Sequence, residues 1–215
     1  MTASGEEALL RKLRDGDEEA FRRLVEAHHG SLVRLARTFV KTAASAEEMA
    51  QETWLAALEG LGRFEGRSSL RTWLFSILAN KARTRAAREG RTVLFSELDA
   101  GGEDDGPAVE PSRFKANGHW RRPPHAWDER TPERLLRAGE GMALLRAALE
   151  DLPPAQRAAV ILRDVEGVSA EEACNVLGVS ETHQRVLLHR GRSRLRRAME
   201  ATVEGARPGA GKAEA

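Results

Sequence analysis

The segment Ser169-Ala-Glu-Glu-Ala-Cys-Asn-Val-Leu-Gly-Val-Ser-Glu-Thr-His-Gln-Arg185 holds two helix starts on either side of one helix stop. Ser169 followed by Glu172 is a capping box, in which each side chain satisfies a backbone donor that the first helical turn leaves unpaired. Ala173, Val176 and Leu177 line the apolar side of that helix, and Gly178 ends it. Only Val179 separates Gly178 from Ser180, the cap of the next helix. Helix, three-residue turn containing glycine, and helix again is the helix-turn-helix pattern, whose second helix lies in the major groove of duplex DNA.

The second helix has the two faces this role needs. Arg185, His189, Arg192 and Arg196 recur at i, i+4, i+7 and i+11 as a cationic face, and Leu188, Gly191 and Leu195 form the adjoining packing line. Thr182, His183, Gln184 and Arg185 stand near its start, where side chains meet base edges; arginine suits guanine and glutamine suits adenine because each bonds twice in plane. The later arginines suit phosphates, which carry no sequence information. An arginine-rich helix taken alone reads equally well as a solvated face. The turn and both caps are what favour DNA.

Working back from this motif, Pro153-Pro154 restarts the chain, and Ala158, Ile161, Leu162 and Val165 mark the buried face of a short helix closed by Gly167. Before it, Thr131-Pro132 offers a cap with proline at the first helical position, and Leu135, Leu136, Met142, Leu145 and Leu149 continue to Asp151. In the N-terminal half, Asp17 caps a helix carrying Ala20, Phe21, Leu24, Val25 and His28, with a break expected at Gly30-Ser31 before Leu32, Leu35, Ala36, Phe39 and Val40. Ser45-Ala46-Glu47-Glu48 is a further capping box, opening a helix that ends around Gly60 to Gly62. Ser68 or Ser69 caps the next, whose Leu70, Trp73, Leu74, Ile77 and Leu78 form a full amphipathic stripe, with Lys81, Arg85 and Arg88 on a second line and Arg83 beside it. No strand pattern and no internal repeat is present, so the fold class expected is all-α.

The chain has 215 residues, 31% of them charged and 41% hydrophobic, enough to bury a core without a disulfide or metal. Its net charge of +1 conceals a division. Arg63 to Arg91 carries eight Lys/Arg against two acids, Glu181 to Arg197 six Arg against one Glu, and Glu97 to Glu110 six acids and no base. Two basic segments parted by an acidic one point to nucleic acid at two places. A lone Cys174 excludes a disulfide framework and a cysteine zinc site, and at its place on the first helix of the turn motif burial explains it better than reactivity. No signal peptide and no apolar run of membrane-spanning length is seen, so a cytoplasmic protein without membrane insertion is expected.

The first basic segment couples aromatics to cations. Phe64, Trp73 and Phe75 sit among Arg63, Arg67, Arg71, Lys81, Arg83, Arg85 and Arg88, a composition suited to bases that have left the duplex and stack while cations follow the backbone. Trp73, on the stripe with Leu70 and Leu74, reads better as core. His28-His29, and His119 with His125, lack acidic or thiolate neighbours at metal-ligand spacing. Neither a phosphate-cradling Gly-x-x-x-x-Gly-Lys run nor a serine nucleophile elbow occurs. Glu47, Glu48 and Glu52 are dispersed over helical positions in a way that favours a protein-docking face over a catalytic cluster. No catalytic residue, metal or cofactor is expected.

Four segments together resemble a known family. Ala46-Glu-Glu-Met-Ala-Gln-Glu-Thr-Trp54, Phe64-Glu-Gly-Arg-Ser-Ser-Leu-Arg-Thr-Trp-Leu-Phe-Ser-Ile-Leu-Ala-Asn80, Leu152-Pro-Pro-Ala-Gln-Arg157 and Leu162-Arg-Asp-Val-Glu-Gly-Val-Ser169 resemble, in order and separation, a bacterial RNA polymerase sigma factor of the sigma-70 family, extracytoplasmic-function group. The resemblance covers about residues 10–91 and 140–200. It implies two small helical domains joined by a flexible linker: residues 10–91 for core polymerase binding and for recognition and melting of the downstream (−10) element, 92–131 as linker, 132–200 for the upstream (−35) element, and 201–215 as a disordered tail.

By matching position, the resemblance implies a polymerase-docking face of Glu47, Glu48, Met49, Gln51, Glu52, Trp54 and Leu55. It gives the downstream element to Phe64, Arg67, Ser68 and Ser69, with Asn80, Lys81, Arg83 and Arg85 on the helix that follows, and Arg88 continues that basic line. There a base is expected to leave the stack for a protein pocket. The acidic segment after Arg91 resembles the family's linker, while Phe114 to Trp127 has a composition without an assignment. Val186 and Leu187 stand where the family often has polar or basic residues, so upstream base contacts do not transfer directly. The partners implied are core RNA polymerase, promoter DNA and an anti-sigma factor. An autonomous helix-turn-helix regulator, which binds duplex tightly without polymerase, and a helical adaptor that binds no DNA are the alternatives.

Overall fold

The computed structural model describes residues 3–88 and 142–205. The Thr131-Pro132 cap, the acidic linker and the Phe114–Trp127 segment lie outside the described residues, as does the side chain of Arg88. All the described elements are helices or short helical turns.

The first unit contains α1 (Ala3–Arg14), α2 (Glu18–Ala36), α3 (Ala43–Gly60) and α4 (Leu70–Arg88). The Asp17 carboxylate accepts from Ala20 N–H at 3.0 Å and starts α2. That helix runs unbroken through Gly30-Ser31, contrary to the expected break, because Leu32, Val33, Leu35 and Ala36 are all buried and keep the chain in one register. The cap of α3 is Thr42, which accepts from Ser45 N–H at 3.1 Å, so Ser45 falls inside the first turn rather than before it. A short 3-10 turn (Leu61–Arg63) follows Gly60. Ser69 then caps α4, its hydroxyl accepting from Thr72 N–H at 3.1 Å.

The core of this unit follows the predicted stripes. Leu70, Leu74 and Leu78 of α4 are buried with Leu24, Leu32 and Leu35 of α2 and Met49, Ala50 and Ala57 of α3. Each fully buried leucine contributes about 1.5–3 kcal/mol of transfer free energy. Phe21 meets Trp54 edge to face at 5.8 Å, and Phe64 lies against Trp73 at 4.9 Å. α1 starts before residue 10, where the domain was expected to begin, and packs on α2 and on the 3-10 turn, with Leu13 buried.

In the second unit, α5 (142–150) precedes α6 (Pro154–Val160), which continues as a π turn (Ile161–Val165). α7 (Ala170–Leu177) and α8 (Glu181–Gly205) complete it. The Ser169–Glu172 capping box forms as expected. Gly178 ends α7 at φ +68°, a left-handed conformation that favours glycine. Ser180 caps α8 by accepting from His183 N–H at 3.2 Å. Val165 departs from the expected buried face: the widened π turn rotates it outward, and it is exposed while Ile161 and Leu162 stay inside.

Candidate nucleic-acid interface

The rotation of α8 about its axis decides what the helix-turn-helix can offer to DNA. Leu187, Leu188 and Gly191 face α6 and α7, and the crossing is so close that a Cβ on Gly191 would stand 2.8 Å from Val160 Cγ2. This places Thr182, Arg185, His189, Arg192 and Arg196 on the exposed side. Gln184 does not join them. Expected at a base edge, it is 1% exposed, with an amide nitrogen that finds no acceptor in the core. It belongs to the i, i+3, i+4, i+7 row with Leu187, Leu188 and Gly191, and that period overrides its polarity. His183 is half-buried at the turn.

Two of the exposed arginines already hold carboxylates. Arg185 reaches Glu181 at 2.5 Å, one turn back on the same helix. Arg192 makes a two-bond contact with Asp164, 2.9 Å through Nε and 2.5 Å through Nη2. The hydrogen bond from Arg192 to Asp164 raises the guanidinium above its ordinary value.

On the first unit, the loop between the 3-10 turn and α4 has a buried base and an open tip. Phe64 is buried against Trp73, and Phe75 is in the core, so neither ring is available to stack a base. Gly66, at φ +72°, turns the chain, and Arg67 is exposed beside Glu65 at 3.1 Å. Ser68 donates to Ser69 O at 3.3 Å. Along α4, Asn80 accepts from Arg83 at 2.6 Å, Lys81 lies 3.6 Å from Glu52, and Arg85 lies 3.0 Å from Glu48. Lys81 and Arg85 of α4 are thus laid against Glu52 and Glu48 of α3.

The face of α3 shows Glu47, Glu48, Gln51 and Glu52 exposed, with Leu55 at 63%. Met49 and Trp54, expected on that face, are instead buried; Trp54 points toward α2, where it meets Phe21 and donates to His29 Nδ1 at 3.3 Å. His29 in turn meets Glu47 at 3.0 Å. Leu58 was missed: at 48% exposure it lies three residues from Leu55, a spacing that could have flagged it as a second apolar contact on the same face.

The two units touch each other across surfaces that the sequence had assigned to separate tasks. Arg34 of α2 lies 3.0 Å from Glu166, and Arg83 of α4 donates to Val176 O at 2.5 Å. Burial of Arg83 lowers its guanidinium below the ordinary value. Burial alone would push Glu172 up. Hydrogen bonds from the Ser169 and Thr72 hydroxyls, and from the backbone N–H groups of Ser169 and Ser69, bring it down instead. Cys174 is half-buried, and burial leads the causes that raise its thiol. Among the described residues no group of His, Cys, Asp or Glu could hold a metal ion, and no helix is long and apolar enough to cross a membrane.

Similarity to known proteins follows the same division. A profile for sigma-70 region 2 matches residues 24–92, and one for sigma-70 region 4 matches residues 142–195. The RNA polymerase sigma-H factor of Pseudomonas aeruginosa is 28% identical over 200 residues, covering 93% of this chain and 96% of that protein. A protein of Haemophilus influenzae named "probable RNA polymerase sigma factor" is 30% identical over 164 residues, covering 76% and 81%. The ECF RNA polymerase sigma-E factor of Escherichia coli is 26% identical over 172 residues, covering 80% and 82%. Among solved structures, RpoE of Bartonella quintana, bound to the anti-sigma factor NepR, shares the fold with a TM-score of 0.54 at 23% identity, over 84% of this chain and 96% of that one. CnrH, bound to the cytosolic domain of CnrY, gives 0.52 at 22% identity over 94% and 99%.

Proposed function

This chain belongs to the sigma-70 family of RNA polymerase sigma factors, in the extracytoplasmic-function group, and from that premise we propose which of its surfaces carries each part of the work. A sigma factor binds core RNA polymerase and directs promoter-specific transcription initiation, and this chain does so. It performs no chemistry of its own and acts where the transcription machinery is, in the cytoplasm.

The exposed outer side of α8 reads the upstream element as duplex. Thr182 and Arg185 meet base edges, and His189, Arg192 and Arg196 hold phosphates. The observation that carries this assignment is the rotation of α8, which buries Gln184, Leu187, Leu188 and Gly191 together and leaves those five residues on the opposite side. Glu47, Glu48, Gln51, Glu52 and Leu55, joined by Leu58, dock on the polymerase; Met49 and Trp54 support that face from beneath. The loop tip, with Arg67, Ser68 and Ser69, together with Asn80, Lys81, Arg83, Arg85 and Arg88 takes up the opened downstream element. Phe64 shapes the loop without stacking on DNA. Melting follows from differential binding, since a face that prefers the strand-separated form shifts the equilibrium toward it.

Arg83 is tied to Val176 O, so the two units must part before it reaches DNA. An anti-sigma factor is a fitting partner, because RpoE of Bartonella quintana, of the same fold, was solved with one. The test is run-off transcription with purified core polymerase over a promoter library, with Arg85→Ala beside the parent. The expected result is initiation from a defined class of promoter, with Arg85→Ala impairing permanganate-detected opening more than duplex association. Tight duplex binding without polymerase, and no initiation with it, would favour the autonomous regulator instead.

A further inference from the structure

The loop Phe64–Ser69 is gripped at both ends by α1. Arg14 donates from its guanidinium to Phe64 O at 2.5 Å, and the Glu6 carboxylate accepts from Leu70 N–H, also at 2.5 Å. The two side chains are eight residues apart, a rise of about 12 Å along the helix. One therefore reaches the entry of the loop and the other its exit. Leu70 opens α4, and its N–H is one of the donors that a helix start leaves unpaired; a carboxylate there is also favoured by the helix dipole.

The region 2 match begins at residue 24, so α1 precedes the matched segment. Its contacts also differ in kind from the others at this loop. Glu172, which reaches Ser69 N–H and the Thr72 hydroxyl, belongs to the second unit and leaves when the units part. Leu13 is buried in the core of the first unit, so α1 and its two polar contacts travel with the loop.

We propose that Glu6 and Arg14 are positioning residues for promoter opening. They hold the loop Phe64–Ser69 in the shape that receives a base extruded from the downstream element. This rests on the assignment of that loop to opened DNA made above. A loop free to fluctuate must be ordered at the moment it captures the base, and that entropy is subtracted from binding. Contacts from a packed helix order the loop in advance, and the open complex gains what the closed duplex complex does not.

The full-length chain with core polymerase provides the test, on a promoter carrying 2-aminopurine in the non-template strand of the downstream element. Its fluorescence rises when the base unstacks. Glu6→Ala and Arg14→Ala are each expected to shorten the open-complex lifetime several-fold and to lower the fluorescence amplitude. Affinity for core polymerase and thermal midpoint should hardly change. Glu6→Gln, which keeps an oxygen acceptor for Leu70 N–H, should recover part of the loss. Unchanged opening in both alanine variants overturns the proposal, as does a matching loss of core affinity and thermal stability. Arg67→Ala and Ser68→Ala are run alongside. If these alter opening and the α1 variants do not, the positioning role alone is wrong. If none of the four alters it, the assignment of the loop falls and the positioning role with it.

Discussion

Arg34 and Glu166 are 132 residues apart in the chain and 3.0 Å apart in the fold, and they join the two helical units. The pair is lopsided: the Glu166 side chain is 6% exposed and that of Arg34 48%. A carboxylate so far from water depends on its partner, whereas the guanidinium keeps much of its hydration. Arg34→Ala should therefore be more disruptive than Glu166→Gln, which removes the buried charge altogether. After discounting for the exposed arginine, the expected loss for Arg34→Ala is about 1–3 kcal/mol. Because the pair joins the two units, its loss should appear as a larger radius in small-angle scattering. Equal radii for Arg34→Ala and the parent would refute this reading of the contact.

Arg192 and Asp164 compete with DNA for one another. Arg192→Ala is expected to weaken binding to the upstream duplex, reduce the salt slope by about 1, and leave the preferred sequence unchanged. Asp164→Asn should act in the opposite direction, because it releases the guanidinium from a contact of 2.5 Å. Duplex affinity measured over a salt series decides both. A new preferred sequence in Arg192→Ala would place that side chain on a base instead of a phosphate.

Gly191 is where α8 crosses α6 with no room for a side chain. Its Cβ would stand 2.8 Å from Val160 Cγ2 and 3.2 Å from Gln156 O, and a β-branched neighbour and a backbone carbonyl have little freedom to yield. Gly191→Ala should destabilise the second unit by about 1–3 kcal/mol in urea denaturation. Adding Val160→Ala should restore part of that. Identical midpoints for Gly191→Ala and the parent would show that the crossing opens at no cost.

His28 gives the fold an acid-sensitive point. Burial first, and then the charge of Arg71, hold its imidazole below the ordinary value against the opposing pull of Glu166 and Glu6. The unfolded chain thus binds the proton more readily than the folded one. Stability is intact above about pH 6.5 and declines as pH falls from there toward the depressed folded value. In His28→Gln that decline should be smaller, as read from urea midpoints taken between about pH 7 and pH 5. Parallel pH profiles for the two proteins would assign the acid sensitivity elsewhere.

The helix starts and stops were largely legible because they are made by neighbours in sequence. Asp17, Ser69, Ser169, Gly178 and Ser180 each act within a few residues, through one backbone group and one side chain. Thr42 shows where this reading slips: two hydroxyls three residues apart, Thr42 and Ser45, both match a cap, and it is the Thr42 oxygen that accepts from the backbone, at Ser45 N–H. Gly30 reads as a break on propensity alone, a preference of about 1 kcal/mol that a buried leucine on the next turn outweighs. Helical period also made a shared face legible, since Arg185, His189, Arg192 and Arg196 are all exposed on one side of α8.

The sequence by itself determined that the fold is all-α, where a helix-turn-helix lies and which two stretches carry positive charge, because periodicity, capping and composition are local properties of the chain. The tertiary structure decided the rest: that Gln184, Met49 and Trp54 turn inward, that Lys81 and Arg85 rest on the acids of α3, that Arg83 and Arg34 join the second unit, and that Glu6 and Arg14 close on the loop before α4. Each of these depends on how a helix is rotated and docked. That is set by the fit of many buried side chains at once, and no short stretch of sequence contains it.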